Sequence, residues 1–419
     1  MKSTLKKIFC LLLVISTAAA FSACGKDNSN KKDQSGTDTV VSQTSAADSS
    51  DESSAQTSGF SESSTEEKIS MPESWQDNGI FSDYYEKAFN KLSQMSTEEK
   101  VGQIILARIP AEDAFQTAND YHLGGYVLFW SDLDEKTKDK IILDNDSYSR
   151  ATGIPMIIAT DEEGGYVSRL SGHDLLKHED FKSPRELYNN GGMDAIKEDA
   201  LRKAQLMNNL KINTNLAPVC DICTGEDKFM YDRSLGQDAD ITSTFVKEVT
   251  SISQQNGVSV TLKHFPGYGN NDDTHTGIAI DKRSYETFQD SDFKPFKAGI
   301  DEGAHVVLVS HNIVECMDDE RPASLSPKVH EILRNELKFT GIIITDDLSM
   351  GAIEEYSPDV SPVVNALLAG NDMLCISDID VTYTKILDGV MSGKIEKDIL
   401  DHAVMRVLAW KYAKGMIKD

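Results

Sequence analysis

Residues 258–277 read Val-Ser-Val-Thr-Leu-Lys-His-Phe-Pro-Gly-Tyr-Gly-Asn-Asn-Asp-Asp-Thr-His-Thr-Gly. The first five residues alternate apolar and small polar side chains, which predicts a strand, and Pro266 and the glycines that follow it predict a loop. Ionisable side chains gathered where a strand gives way to a loop suit proton transfer and polar ligands better than packing. Five such residues lie here: Lys263, His264, Asp272, Asp273 and His275.

Eight apolar runs of strand length alternate with amphipathic segments along the chain. The runs are Ile104–Ile109, Gly125–Phe129, Pro155–Thr160, Ile212–Val219, Val258–His264, His305–His311, Gly341–Thr345 and Asp372–Ile376. Helical periodicity extends over Ala195–Leu210 and Ser243–Gln255, and also over Phe81–Gln103, where Ser96 and Glu99 predict a helix cap. Eight buried strands joined by helices predict an α/β fold, a single TIM-like (β/α)8 barrel. An open, doubly wound sheet is the alternative.

Polar residues concentrate at the carboxyl ends of these runs. They are Asp161 and Arg169 after the third run, Asp221 and Arg233 after the fourth, Lys263 and His264 in the fifth, His311 in the sixth, and Asp346 and Asp347 after the seventh. Active sites of α/β barrels lie at that face, so the pattern indicates an enzyme. No Gly-x-Gly-x-x-Gly follows the first run and no Walker-type loop occurs, which argues against nucleotide binding.

The N-terminal part of the chain is predicted to lie outside the fold. Residues 1–23 combine a lysine-bearing start with an apolar segment too short for a membrane span, which is typical of a secretory signal. Phe21-Ser-Ala-Cys24 resembles the lipobox of bacterial lipoproteins, so we expect Cys24 to carry a lipid; an ordinary signal with an incidental cysteine is the alternative. Residues 24–74 are polar and predict a disordered tether. The barrel domain is predicted over 75–419.

Net charge and cysteine spacing narrow the range of partners. The formal net charge of −26 argues against nucleic acid and against electrostatic docking on anionic lipid. Cys220 and Cys223 have the spacing of metal ligands, but no second pair accompanies them, so no metal site is predicted. Both are interpreted as small apolar residues, and a disulfide between them outside the cell is the alternative.

Six segments resemble one known family. Lys263-His-Phe-Pro-Gly-Tyr-Gly with Asp273-Thr-His275 resembles the Lys-His-Phe-Pro-Gly-His-Gly…Asp-Ser-His signature of family 3 glycoside hydrolases, in the β-N-acetylglucosaminidase branch. The others are Asp161-Glu-Glu-Gly-Gly-Tyr-Val-Ser-Arg169, Ile212-Asn-Thr-Asn-Leu-Ala-Pro-Val, Arg233-Ser-Leu-Gly, Thr345-Asp-Asp-Leu-Ser-Met and Ala369-Gly-Asn-Asp-Met-Leu. Their order along the chain is that of the family. No second domain is expected after the barrel.

The resemblance implies a retaining hydrolysis through a covalent glycosyl-enzyme. The matching nucleophile is Asp346, whereas Asp347 is expected to have a structural role. His275 matches the acid/base and Asp273 the carboxylate that orients it; a free imidazole titrates near pH 6.5, so it can both donate and accept a proton. Asp272 is the competing partner, but the spacing of two residues selects Asp273.

Five further positions match residues that contact the sugar in the family: Asp161, Arg169, Arg233, Lys263 and His264. Structural ion pairs at the barrel rim are the alternative for each. The sequence departs from the family pattern at Tyr268 in place of His, Thr274 in place of Ser, Glu162 in place of Gln and Tyr166 in place of Arg. The loop between Gly269 and Asp273 is also one residue short. None of these changes removes a proposed catalytic group.

Together these patterns predict a membrane-tethered, extracytoplasmic exo-β-N-acetylglucosaminidase. Its expected substrate is terminal β-linked N-acetylglucosamine in peptidoglycan fragments, and no metal or organic cofactor is expected. A phosphorylase with the same residues is one alternative, because a neutral His does not repel phosphate as a carboxylate would. A sugar-binding lipoprotein without turnover is another, and a β-glucosidase is disfavoured because that branch typically lacks the Asp-x-His loop.

Overall fold

The computed structural model describes residues 70–173, 180–356 and 361–418. The predicted signal segment 1–23, Cys24 and nearly all of the tether 24–74 lie outside the described residues. The boundaries drawn there stay predictions.

Eight parallel strands form one sheet that closes on itself. In chain order they are Ile105–Arg108, Gly125–Leu128, Ile157–Thr160, Thr214–Asn215, Ser259–Phe265, Val306–Val309, Ile342–Thr345 and Leu374–Ile376. From the first strand to the seventh, each strand pairs with the next one in sequence, and the first also pairs with the eighth. A bridge between Ile344 and Met373 joins the seventh strand to the eighth. The predicted (β/α)8 barrel is therefore confirmed, and the open doubly wound sheet is wrong.

Helices connect the strands and cover the barrel. The α-helices are Tyr85–Leu92, Thr97–Gln103, Ala114–Asp120, Trp130–Leu133, Lys138–Ser149, Pro184–Asn209, Ala239–Gln255, Tyr285–Thr287, Phe293–Asp301, Pro327–Glu331, Gly351–Tyr356, Pro362–Ala369, Ile379–Met391 and Lys397–Ala413. Phe288–Asp292 and Ile332–Glu336 continue two of them as π-helical turns. Short 3₁₀ turns occur at Glu73–Trp75, Ser82–Tyr84 and Ala323–Leu325.

The predicted helix cap at Ser96 is present. Its hydroxyl accepts a hydrogen bond from the amide of Glu99, and the Glu99 carboxylate accepts one from the amide of Ser96. The cap divides the predicted helical stretch 81–103 into two helices, Tyr85–Leu92 and Thr97–Gln103. The reciprocal bonds satisfy amides that the first turn of a helix cannot satisfy itself.

The fourth strand is much shorter than the apolar run 212–219 that predicts it. Only Thr214 and Asn215 pair regularly. Pro218 has no amide hydrogen for a ladder bond. After Asn215 the chain is joined to the fifth strand by an isolated bridge between Val219 and Lys263 and by backbone hydrogen bonds, such as that from the Cys220 amide to the Lys263 carbonyl. The short ladder leaves the following residues free to turn into the carboxyl end of the barrel.

Two small sheets stand on that end. Glu162–Gly164 pairs antiparallel with Val167–Ser168, and Ile280–Asp281 pairs with Ile313–Val314. The first forms a hairpin directly after the third strand.

No helix in the described ranges is long and apolar enough to span a bilayer. Cys220 and Cys223 are both buried free thiols, so the alternative of a disulfide between them is not what the structure contains.

Candidate active site

The end of the fifth strand brings two adjacent polar side chains into the barrel mouth. Lys263 is 2% exposed and His264 is 4% exposed. In a regular strand, neighbouring side chains would point to opposite faces. The pairing register of this strand shifts between Leu262 and Phe265, and such irregularities re-aim side chains. Both residues therefore belong to one polar cluster.

Glu163 holds two buried cations. Its carboxylate lies 2.7 Å from Lys263 Nζ and accepts hydrogen bonds from Arg233 at 2.7 and 3.0 Å. Burial acts to raise the pKa of Glu163, but Arg233 and Lys263 outweigh it and hold the pKa well below its usual value. Asp161 is the second carboxylate on Lys263, at 2.7 Å from Nζ. Burial lowers the pKa of Lys263, yet these two carboxylates raise it overall, so the ammonium group stays charged.

His264 lies between an acceptor and a donor, which fixes its tautomer. Its Nδ1 is 2.7 Å from the Asp221 carboxylate, and its Nε2 is 3.2 Å from Arg233 Nη2. A carboxylate only accepts and a guanidinium only donates, so Nδ1 carries the hydrogen and Nε2 accepts. Asp221 also accepts from the amides of His264 and Tyr268, at 3.1 and 2.6 Å.

Arg169 reaches the site from the hairpin after the third strand. Its Nη2 is 3.8 Å from Asp161 Oδ2, and its guanidinium lies over the Phe129 ring. Glu162 accepts hydrogen bonds from the amide of Arg169 and from Ser168, which fixes the hairpin. Burial raises the pKa of Glu162.

Asp346 follows the seventh strand and points into the same space. Its amide donates to the Val309 carbonyl, and its Oδ1 accepts a 2.9 Å bond from the amide of Asp347. Burial acts to raise the pKa of Asp346, but nearby polar groups, among them the Asp347 amide that donates to its carboxylate, hold the pKa below its usual value. The group is therefore an ionised carboxylate. Asp347 instead accepts hydrogen bonds from Ser349 and Ser377, in line with the structural role expected for it.

Asp273 and His275 form a pair in the loop after the fifth strand. His275 Nδ1 lies 2.6 Å from Asp273 Oδ1, and the two side chains are 56% and 30% exposed. Because the carboxylate accepts the Nδ1 hydrogen, Nε2 is the nitrogen available for proton exchange. The competing Asp272 is 87% exposed and lies 3.4 Å from Lys228 instead.

One cleft of about 830 Å³ brings together Asp346, the Asp273–His275 pair and the polar side chains at the end of the fifth strand. All eight residues predicted from the sequence line it: Asp161, Arg169, Arg233, Lys263, His264, Asp273, His275 and Asp346. Its volume lies within the usual range of small-molecule binding sites. Among the described residues, no group of three or more His, Cys, Asp or Glu side chains is arranged to hold a metal ion.

The model of the glycosyl hydrolase family 3 N-terminal domain matches residues 96–410. This chain belongs to glycoside hydrolase family 3. The expectation of a glycosidase is thereby confirmed.

Three known proteins show how similar this family 3 chain is to others. It is 29% identical over 306 residues to an uncharacterized secreted glycosyl hydrolase of Arthroderma benhamiae, covering 70% of this chain and 84% of the relative. It is 27% identical over 329 residues to beta-hexosaminidase LpqI of Mycobacterium tuberculosis, covering 76% and 83%. A solved family 3 beta-N-acetylglucosaminidase from Paenibacillus superposes with a TM-score of 0.73 and 27% identity, covering 78% of this chain and 64% of that protein.

Sequence reasoning missed two residues of this family 3 site. Glu163 lies within Asp161–Arg169, a segment that resembles the family, but the resemblance assigns no role to it. Asp221 is one of the polar residues after the fourth run, and the sequence assigns no further role to it. The partners of these carboxylates lie 70 and 43 residues away in sequence. The available signal was their position: both follow a buried strand at the carboxyl end of the barrel.

We expect Glu163→Gln to lower the free energy of unfolding by about 3 kcal/mol, because two buried cations lose their shared anion. Chemical denaturation at neutral pH measures the change. Glu186→Gln is the matched control, since Glu186 is 51% exposed and 3.9 Å from Lys182; its loss should stay below about 1 kcal/mol. Equal losses in the two variants would contradict a special role for Glu163.

Proposed function

We propose that this protein is a retaining exo-β-N-acetylglucosaminidase that removes terminal β-linked N-acetylglucosamine from peptidoglycan fragments. The observation that carries the proposal is the shared cleft. It combines an ionised carboxylate, Asp346, with a carboxylate–imidazole pair, Asp273 and His275, and with a buried set of sugar-binding cations and acceptors.

In the first step, an oxygen of Asp346 attacks the anomeric carbon as the glycosidic bond breaks. His275 Nε2 gives its proton to the leaving oxygen, and the glycosyl ester of Asp346 forms. The contact between Asp273 and Nδ1 supports this role, because it keeps Nε2 directed away from the carboxylate. Lys263 and Arg169 donate to sugar hydroxyls while Asp161 accepts from them.

In the second step, water replaces the leaving group. His275 Nε2, now without its proton, accepts one from that water, and the resulting hydroxide attacks the anomeric carbon. The bond to Asp346 breaks, so the carboxylate is regenerated and the sugar leaves with its original anomeric configuration. Exposure of more than half of the His275 side chain supports this double use, since water must reach it.

Two relatives support the choice of sugar. The Mycobacterium tuberculosis protein is named a beta-hexosaminidase and the Paenibacillus protein a beta-N-acetylglucosaminidase. The Arthroderma relative is described as secreted, which supports an extracytoplasmic location for this chain. Attachment to the membrane through a lipid on Cys24 remains a proposal from the sequence.

The rim of the cleft supports an acidic partner sugar. Arg108, at the end of the first strand, lines the cleft and lies 4.5 Å from the Phe129 ring centroid. Within the described part of the chain, no salt bridge to Arg108 occurs. A cation at the mouth without an ion-pair partner among the described residues suits a substrate carboxylate, such as the lactyl group of N-acetylmuramic acid.

Replacement of the nucleophile gives the main test. We expect Asp346→Ala to lower nitrophenol release from nitrophenyl N-acetyl-β-glucosaminide at least about 1,000-fold, since no covalent intermediate can form. Asp272→Ala, which removes an exposed carboxylate, is the matched control and should retain activity. A 2-fluoro-type sugar trap followed by peptide mass analysis should label the peptide that contains Asp346.

Two results would reject parts of this proposal. Equal rates for Asp346→Ala and the wild type would exclude Asp346 as the nucleophile. Binding of N-acetylglucosamine without any hydrolysis, even at high enzyme concentration, would favour a sugar-binding lipoprotein instead.

Phosphate distinguishes hydrolysis from phosphorolysis. We expect free N-acetylglucosamine to remain the main product when phosphate is added, because the partly exposed His275 is open to water. Chromatography of products formed with and without phosphate measures this. The sugar 1-phosphate as main product would establish the phosphorylase alternative, which a neutral imidazole permits.

Arg108→Met tests the acidic partner sugar. We expect kcat/KM for N-acetylglucosamine linked to N-acetylmuramic acid to fall about fivefold, the effect of one exposed ion pair. The rate on the N-acetylglucosamine disaccharide, which has no carboxylate, should stay within about twofold and is the internal control. Equal falls on both substrates would argue against recognition of a carboxylate by Arg108.

A further inference from the structure

Tyr268 lies between the sugar-binding cluster and the loop of the Asp273–His275 pair. It is 2% exposed. Its ring packs edge-on against His264, with the ring centroids 5.8 Å apart, and at a tilt against Phe229, with the centroids 5.9 Å apart. Phe229 in turn contacts the His275 ring at 5.7 Å. Tyr268 and Phe229 thus connect the ring of His264 to the ring of His275.

The Tyr268 hydroxyl makes two hydrogen bonds, both to Thr274. It accepts from the Thr274 amide at 2.8 Å and donates to Thr274 Oγ1 at 2.8 Å. Burial raises the pKa of Tyr268 well above its usual value. The phenol therefore keeps its hydrogen at every working pH, and both bonds persist.

Thr274 is the buried point of an otherwise accessible loop. It is 1% exposed, whereas every other residue from Asn270 to Ile278 is partly or fully exposed. Asp273 and His275 flank it directly. Its carbonyl also accepts from the Ala352 amide, in the helix that follows Asp346. The position of Thr274 therefore fixes where the Asp273–His275 pair stands relative to the nucleophile candidate.

The other end of Tyr268 is tied to the rigid cluster. Its amide donates to Asp221 Oδ1 at 2.6 Å, and Asp221 Oδ2 receives His264 Nδ1 at 2.7 Å. The path from His264 to Thr274 thus consists of short contacts between buried groups. Tyr268 and Thr274 are also two of the positions at which this sequence departs from the family signature, so the two departures form one interaction.

We propose that Tyr268 is a positioning residue for proton transfer, which acts through Thr274 to hold His275 over the glycosidic oxygen. This inference rests on the proposed acid/base role of His275. A proton donor must lie within about 3.2 Å of the oxygen that it protonates. A displacement of about 1 Å costs roughly 100-fold in rate, so loss of the two bonds should be visible in catalysis rather than only in stability.

Tyr268→Phe removes the hydroxyl and keeps the ring. We expect kcat/KM to fall about 30-fold on the phenyl N-acetyl-β-glucosaminide, whose basic leaving oxygen needs a proton. On the dinitrophenyl glycoside, whose leaving group departs as an anion, the fall should stay within about threefold. Thr274→Val, which removes only one of the bonds, should show a smaller fall of the same kind and add little in the Tyr268→Phe background.

Tyr126→Phe is the matched control. Tyr126 is equally buried, and its hydroxyl donates to the Ala114 carbonyl at 2.7 Å in another part of the barrel. The Tyr126→Phe variant should have the same ratio of kcat/KM on the phenyl and dinitrophenyl glycosides as the wild type. Equal falls on both glycosides for Tyr268→Phe, or no fall on either, would overturn the positioning role.

His275→Ala separates this inference from the proposed function. It should show the strongest dependence on the leaving group. A His275→Ala enzyme without that dependence would remove the acid/base assignment and the positioning role together. The dependence in His275→Ala but not in Tyr268→Phe would overturn only the inference about Tyr268.

Discussion

The contact of Glu163 with Lys263 and Arg233 is the constraint on which the cleft depends. Both cations are almost fully buried, and an ammonium or guanidinium without a counter-ion would cost several kcal/mol at such a place. The three residues follow or end the third, fourth and fifth strands. Glu163 and Asp161 together balance the charge of the two cations. Glu163 alone contacts both cations, so it links the segments that carry them.

A further buried carboxylate, Asp221, connects His264 to the start of the loop that follows the fifth strand. It binds His264 on one side and the amide of Tyr268 on the other, at 2.7 and 2.6 Å. The polar cluster around Lys263 and His264 is thus built from buried groups, whereas Asp273 and His275 lie in an accessible loop. Under the proposed mechanism, a rigid binding face with the proton donor on a separate segment lets the donor adjust to the leaving group while the sugar stays in place.

Most of the fold can be predicted from local sequence pattern, because a buried strand appears as a short apolar run regardless of which strands it pairs with. All eight runs became strands, and Ser96 caps its helix. The extent of the fourth strand did not follow, since Pro218 breaks the ladder inside an apolar run. The eight candidate site residues were predicted from segments that resemble the family, and all eight line one cleft. Glu163 and the Tyr268–Thr274 bonds were not predicted, because their partners depend on how distant strand ends and loops meet in space.

The surroundings of the Asp346 carboxylate differ from those of Glu163. The Asp346 carboxylate accepts a hydrogen bond from the Asp347 amide and forms no salt bridge with any described residue. Burial acts to raise its pKa, and nearby polar groups, among them the Asp347 amide, more than offset this. A lysine or arginine in direct contact would stabilise the anion further. It would also occupy the oxygen that, in the proposed mechanism, attacks the anomeric carbon, and it would weaken that oxygen as a nucleophile.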